Sequence, residues 1–263
     1  MKKLKWILII FLVLFVLSVG FGLWMLYGIK TSNPANYSKI GDIPTPLGYE
    51  RIDNDDAAYS RFLRNLPLKE RGSEVMLYTG GRANLQILNY AVVELPLLSN
   101  AEQCADVCMR LRAEYLFNTH QYGRISFNDV NGHAMKYTGG ASREAFNSYL
   151  RKVYNMASTF SLSREMKQRP LRDMQPGDVF VYAAKDRGKA HKYGHAIMVV
   201  DVAVNKKDKK VFLLAEGNTP ARNIHVMRNL GHPFRSPWFV LDDDADNLLL
   251  SVFFYKADEL RHF

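Results

Sequence analysis

Cysteine is almost missing from this chain: 263 residues carry only Cys104 and Cys108. A small exported domain held together by bridges would carry more, in a loop-rich frame. At a spacing of four, on one helix, the two sulfurs could form only a poor bridge that closes almost no loop, so free thiols are expected. Internal repeats and low-complexity tracts are also absent, which argues against solenoids and disordered arrays. No basic helix with interleaved aromatics occurs, so nucleic acid is not an expected partner. Apolar residues make up 48% and charged residues 23%, the composition of a chain with a real core.

Charge is also scarce in one place. Residues 6–29, from Trp6 to Ile29, carry none, with Lys2, Lys3 and Lys5 before them and Lys30 after. Crossing a bilayer takes about 20 helical residues. The run is longer than a signal-peptide core and has no small-residue cleavage site or lipid-accepting cysteine. It reads as an uncleaved single-pass anchor, with residues 1–5 as a cytoplasmic stub. That reading puts the protein in a cell inner membrane, with its main domain periplasmic or otherwise extracytoplasmic and the membrane as a partner. The formal charge of +9 falls to +5 once the four flanking lysines are set aside, leaving 31 basic against 26 acidic residues. That excess is mild.

Residues 30–48 hold Pro34, Pro44 and Pro46 among small polar residues and read as a linker. Residues 49–263 form the expected α+β domain. A short helix fits Asp55–Leu66, where Ala58, Phe62 and Leu66 recur every four residues before Pro67. Glu74–Tyr78 and Ala91–Leu95 read as strands. The clearest helix runs from about Asn100 to Phe117, with Ser99 or Asn100 as cap, Glu102 in the first turn, and Cys104, Val107, Cys108, Leu111 and Tyr115 on one apolar face. A loop with a short strand at Arg124–Phe127 leads to a second helix, Ser142 to about Phe160. After Pro176-Gly177 the pattern turns to strands at Asp178–Tyr182, His195–Val204, Val211–Glu216 and Asn223–Val226.

Two of these elements carry chemistry. Cys104 lies near a helix N-terminus, where unpaired N–H groups favour a thiolate and can steady a developing oxyanion. Gln103 offers a further donor beside it. His195 opens an apolar strand, and folding the next strand back around Lys207 brings either Glu216 or Asn218 opposite it. A carboxylate or amide there would set the tautomer of a catalytic imidazole. The plainer readings are a core thiol, a histidine at a strand start and an ordinary turn at Glu216–Pro220. Cys104, Cys108, His191 and His195 could also make a four-ligand zinc set, but no metal is expected. Asp242–Asp244 with Asp246 reads as a solvated acidic turn rather than a calcium loop.

The segments AYSRFLRNLPLK (58–69), EQCADVCMRLRAEYL (102–116), RDMQPGDVFVY (172–182), GHAIMVVDV (194–202) and FLLAEGNTPARNIHV (212–226), with Ser236-Pro237-Trp238, resemble the bacterial family known as domain of unknown function 4846, over roughly 47–240. More distantly, the order Gln-Cys, Gly-Asp-Val, Gly-His-Ala, Glu-x-Asn is similar to CHAP and NlpC-type cysteine amidases and peptidases. That resemblance implies a papain-like core, Cys104 as nucleophile, His195 as base and Glu216 or Asn218 as third member. The expected function is cofactor-free hydrolysis of amide bonds in peptides or peptidoglycan-like substrates. A catalytically silent envelope protein on the same scaffold is the alternative. Two features depart from those enzymes: the Cys-to-His spacing is long, and Cys108 has no role.

Overall fold

The computed structural model describes residues 2–23, 36–53, 55–188, 192–232 and 237–263. Its helices are α1 (Lys2–Leu23), α2 (Ala57–Arg64), α3 (Cys104–Asn118), α4 (Arg143–Met156) and α5 (Thr159–Glu165). The strands are β1 (Tyr49–Arg51), β2 (Asn89–Val92), β3 (Ser126–Asn128), β4 (Ala134–Lys136), β5 (Lys167–Gln168), β6 (Val179–Tyr182) and β7 (His195–Asn205). They continue with β8 (Lys210–Glu216), β9 (His225–Met227), β10 (Phe239–Val240), β11 (Asn247–Leu250), β12 (Phe253–Lys256) and β13 (Leu260–His262).

The architecture is α+β, built on a nine-stranded antiparallel sheet in the order β2-β9-β8-β7-β6-β13-β5, with β1 on β7 and β10 on β8. Alternation along β7 and β8 divides the core in two. Ala196, Met198, Val200, Leu213 and Ala215 face a layer containing α3, α4 and α5. Ile197, Val199, Phe212 and Leu214 face the other way, toward the β11–β12 hairpin through Leu248, Leu250 and Tyr255. Such fully apolar strands are expected where both faces of a sheet are covered. Val200 is an extra residue between the pairs Val199↔Leu214 and Asp201↔Leu213, a bulge that shifts the register of everything toward His195.

Several expectations are corrected. Among the described residues no helix is long and apolar enough to cross a membrane, which overturns the anchor at 6–29 and the inner-membrane, periplasmic placement built on it. The helix begins at Lys2, so its first turns carry the lysines. Its described apolar part, Trp6 to Leu23, spans about 27 Å at 1.5 Å per residue. Residues 24–35 lie outside the described residues.

The expected linker, where described, is part of the domain: Ile40 and Ile43 are fully buried, and Lys39 bridges to Pro67. Three prolines suggested a spacer, but two isoleucines at the right places dock the segment. Glu74–Tyr78 makes only isolated bridges, Met76 to Arg82 and Leu77 to Arg222. The second helix is two, because Ser158 accepts a hydrogen bond from the Phe160 N–H and restarts the chain as α5. The helix expected from Asn100 starts later, with Gln103 as its N-cap and Cys104 as its first residue. Ser99 and Asn100 belong to the preceding turn, in which the Glu102 N–H donates to the Ser99 carbonyl.

Candidate functional site

Local chemistry sets the start of α3. The Gln103 backbone N–H donates to the Asp106 carboxylate at 2.9 Å, half of a capping arrangement that ends the loop and begins the helix. Cys104 therefore occupies the first helical position, where the helix presents unpaired N–H groups and partial positive charge. The end of β8 approaches this point closely. A Cβ on Gly217 would lie 2.6 Å from Val107 Cγ2, so only glycine lets the strand end meet the helix there.

His195 is the first residue of β7 and Glu216 the last of β8, and both stand on the face shared by Ile197, Val199, Phe212 and Leu214. The His195 Nε2 lies 2.8 Å from Glu216 Oε2. The Cys104 side chain stands close enough to the His195 ring to raise its proton affinity. With Nε2 engaged by Glu216, Nδ1 is the nitrogen that serves the sulfur. Burial works against a charge on this ring, but the bonds to Cys104 and Glu216 outweigh it and raise its pKa to about 10. A charged imidazole beside a thiol at a helix N-terminus is a setting in which thiolates form. Phe253 lies flat on the His195 ring, centroids 4.2 Å apart and planes 21° from parallel. Cys104 and His195 are only 6% and 5% exposed.

Of the residues nominated from the sequence, Cys104, His195 and Glu216 come together. Asn218 does not join them: its Oδ1 accepts from the Thr219 N–H at 2.7 Å, inside its own turn. The register explains this outcome. Met198 pairs with Ala215, which puts Glu216 on the His195 face one diagonal step away, within reach of a long side chain. Gln103 sits beside Cys104 with its Oε1 held by the Thr219 hydroxyl at 2.7 Å, which leaves its amide nitrogen as the donor end.

Cys108 has a separate place. Its thiol is buried, directed at the Cys104 carbonyl at 3.6 Å, and burial first, then Cys104, pushes its pKa up. Both cysteines are free thiols. Of the proposed zinc ligands, His191 lies outside the described residues. Among the described residues, the one cluster with ligand atoms close enough for an ion is Asp242, Asp243 and Asp244, all exposed.

Sequence reasoning missed three neighbours. Tyr182 pairs across from His195, with the Arg187 guanidinium 3.8 Å from its ring centroid. Phe253 arrives from a hairpin that showed no clear strand pattern. His225 stands directly opposite Glu216, its Nε2 3.5 Å from Glu216 Oε1. A hairpin of β8 and β9 like that of β7 and β8 pairs Glu216 with this histidine.

No curated protein and no solved structure matches this chain, so the papain-like core and the likeness to CHAP and NlpC-type enzymes have no counterpart among them. The family described as a domain of unknown function (4846) matches residues 41–141 and 138–262, a wider span than the motifs suggested. The chain belongs to that family, domain of unknown function 4846.

Proposed function

We propose that Cys104, His195 and Glu216 form the working site of a cysteine hydrolase that cleaves amide bonds. The observation that carries this reading is the 2.8 Å contact of the His195 imidazole with the buried Glu216 carboxylate, with Cys104 beside the same ring. The Cys104 sulfur attacks the amide carbonyl carbon, and the α3 N–H groups with the Gln103 amide nitrogen bear the tetrahedral oxyanion. As the C–N bond breaks, His195 gives its proton to the departing amine and leaves a thioester. Water then attacks the thioester carbon, passes a proton to His195 and releases the acid and the thiolate. Glu216 keeps the ring oriented and balances its charge throughout. Peptides are the substrate class, with cell-wall peptides the special case that the likeness to CHAP and NlpC-type amidases favours.

The burial of Cys104 and His195 beneath Phe253 favours a second reading, in which the same side chains form a silent core on a binding scaffold. Iodoacetamide separates the two. For a hydrolase, Cys104 is alkylated rapidly at pH 6, and His195→Ala abolishes that reaction. A thiol that reacts only after denaturation ends the hydrolase proposal.

A further inference from the structure

The buried carboxylate of Glu216 has an imidazole on each side. His195 opens β7, Glu216 closes β8 and His225 opens β9, three neighbouring strands of one sheet. Alternation puts all three on the face of Ile197, Leu214 and Met227. The Glu216↔His225 pairing is fixed by ladder register, since Ala215↔Val226 precedes it. His195 takes Oε2 at 2.8 Å and His225 faces Oε1 at 3.5 Å. On its other side, the His225 Nδ1 lies 3.4 Å from the Asn223 carbonyl oxygen.

We infer that His225 is a positioning residue for the thiol site: its Nε2–H holds Glu216 by Oε1, so that Oε2 stays turned to His195. The inference rests on the hydrolase reading of Cys104 and His195, and it adds a fourth member that touches neither sulfur nor substrate. Both neighbours of His225 are acceptors, so a neutral ring with one N–H can serve only one of them. Burial holds this ring in the neutral form, with Glu216 and the hydrogen bond to the Asn223 carbonyl pulling the other way and Arg222 and His195 adding to the effect of burial. A carboxylate is the stronger acceptor, which draws the proton to Nε2, although only the Nδ1 contact with Asn223 has hydrogen-bond geometry in the structure. The other groups around His225 do not compete for that role. Arg222 spends its guanidinium on the carbonyls of Thr219, Pro220 and Asn84, and the residue opposite His225 on β2 is Val92.

The distinction between the two ring nitrogens makes the inference testable with amides. Glutamine can put an N–H near Nε2, whereas asparagine can put one only near Nδ1. The readout is the pH profile of iodoacetamide alkylation of Cys104 in the full chain, followed by mass spectrometry of the Cys104 peptide. His225→Gln is expected to keep the wild-type midpoint. His225→Asn, which keeps the Asn223 contact and loses the Glu216 one, is expected to move the midpoint up by about one pH unit and slow the reaction at pH 6 about tenfold. Both variants should react like wild type at pH 9.5, where the thiolate no longer needs the imidazole pair. Equal profiles for His225→Asn and wild type, or equal shifts for both variants, overturn the positioning role. Failure of the hydrolase reading looks different, because wild-type Cys104 would then be slow at pH 6 and indifferent to His195→Ala.

Discussion

Strands β7 and β8 carry two buried carboxylates whose partners differ in kind. Asp201, beside the β7 bulge, is fully buried and held by Arg51 Nε at 2.6 Å and Arg64 Nε at 2.7 Å. Glu216, at the strand end, is 1% exposed and lies between two imidazoles. Guanidinium groups keep their charge at every working pH, so the Asp201 cluster is a fixed clamp. It ties α2 to the β1–β7 pair of the sheet, and Arg64 also reaches Asp53 and the Ile52 carbonyl. Imidazoles gain and lose protons near neutrality, so the same burial around Glu216 makes a site that can move a proton. What surrounds a buried acid decides whether it supports structure or chemistry.

Exchanging each acid for its amide tests that contrast. Glu216→Gln removes the charge that supports a protonated His195. The largest expected effect is a loss of Cys104 alkylation at pH 6 of about a hundredfold, with only a modest drop in unfolding free energy. Asp201→Asn is expected to do the reverse, lowering stability by about 3 kcal/mol because two guanidiniums lose their counter-charge, with the alkylation rate nearly unchanged. Urea titration and thiol labelling on the same samples read both quantities. If both variants lose stability and reactivity in the same proportion, the distinction fails.

A third substitution probes the charge at the start of α3. Burial first, with Glu102 adding, pushes the Asp106 pKa up to about 8, against the Gln103 N–H that favours the ionised form. Its Oδ1 has no hydrogen-bond partner among the described residues. A carboxyl whose pKa rises on folding contributes stability that is complete below its unfolded value, about 4, and is lost as pH rises through the folded one. The urea midpoint should therefore fall between pH 5 and pH 8 in the wild type. Asp106→Asn should make that decline shallower but not flat, because Asp178, raised to about 7 chiefly by burial against the pull of Arg169, acts with the same sign. An unaltered slope would remove Asp106 from this account. The smallest expected effect is that of Cys108→Ala, about 1 kcal/mol of stability from a small cavity, with Cys104 labelling preserved. A large change in Cys104 reactivity would mean the two thiols act together.

Much of the fold was legible where periodicity and local chemistry agreed. Strands β6 to β8 are continuous apolar runs with turn residues at their ends, and they appear within a residue or two of their expected bounds. Cys104, His195 and Glu216 could be nominated because residue type and element position carry chemical meaning on their own. The choice of Glu216 over Asn218 was not readable, because it depends on the Val200 bulge and on a turn that claims Asn218 for itself. Phe253 was out of reach for a related reason: its hairpin packs on the site from a distant part of the chain, and no local pattern announces that contact. The apolar N-terminal run misled because composition alone does not say where a helix starts, and this one begins among the lysines.

Sequence by itself determined the free thiols, the α+β class and the nomination of Cys104 and His195, with Glu216 or Asn218 as their third member. These follow from residue counts, alternation and the preferences of helix ends, all of which act over a few neighbours. Tertiary structure decided that Cys104 comes beside His195, that a second histidine stands opposite the Glu216 carboxylate, and that Cys108 is a core thiol one turn from Cys104. Those outcomes depend on which strands pair and which faces pack, and such long-range contacts are settled only when the whole core closes.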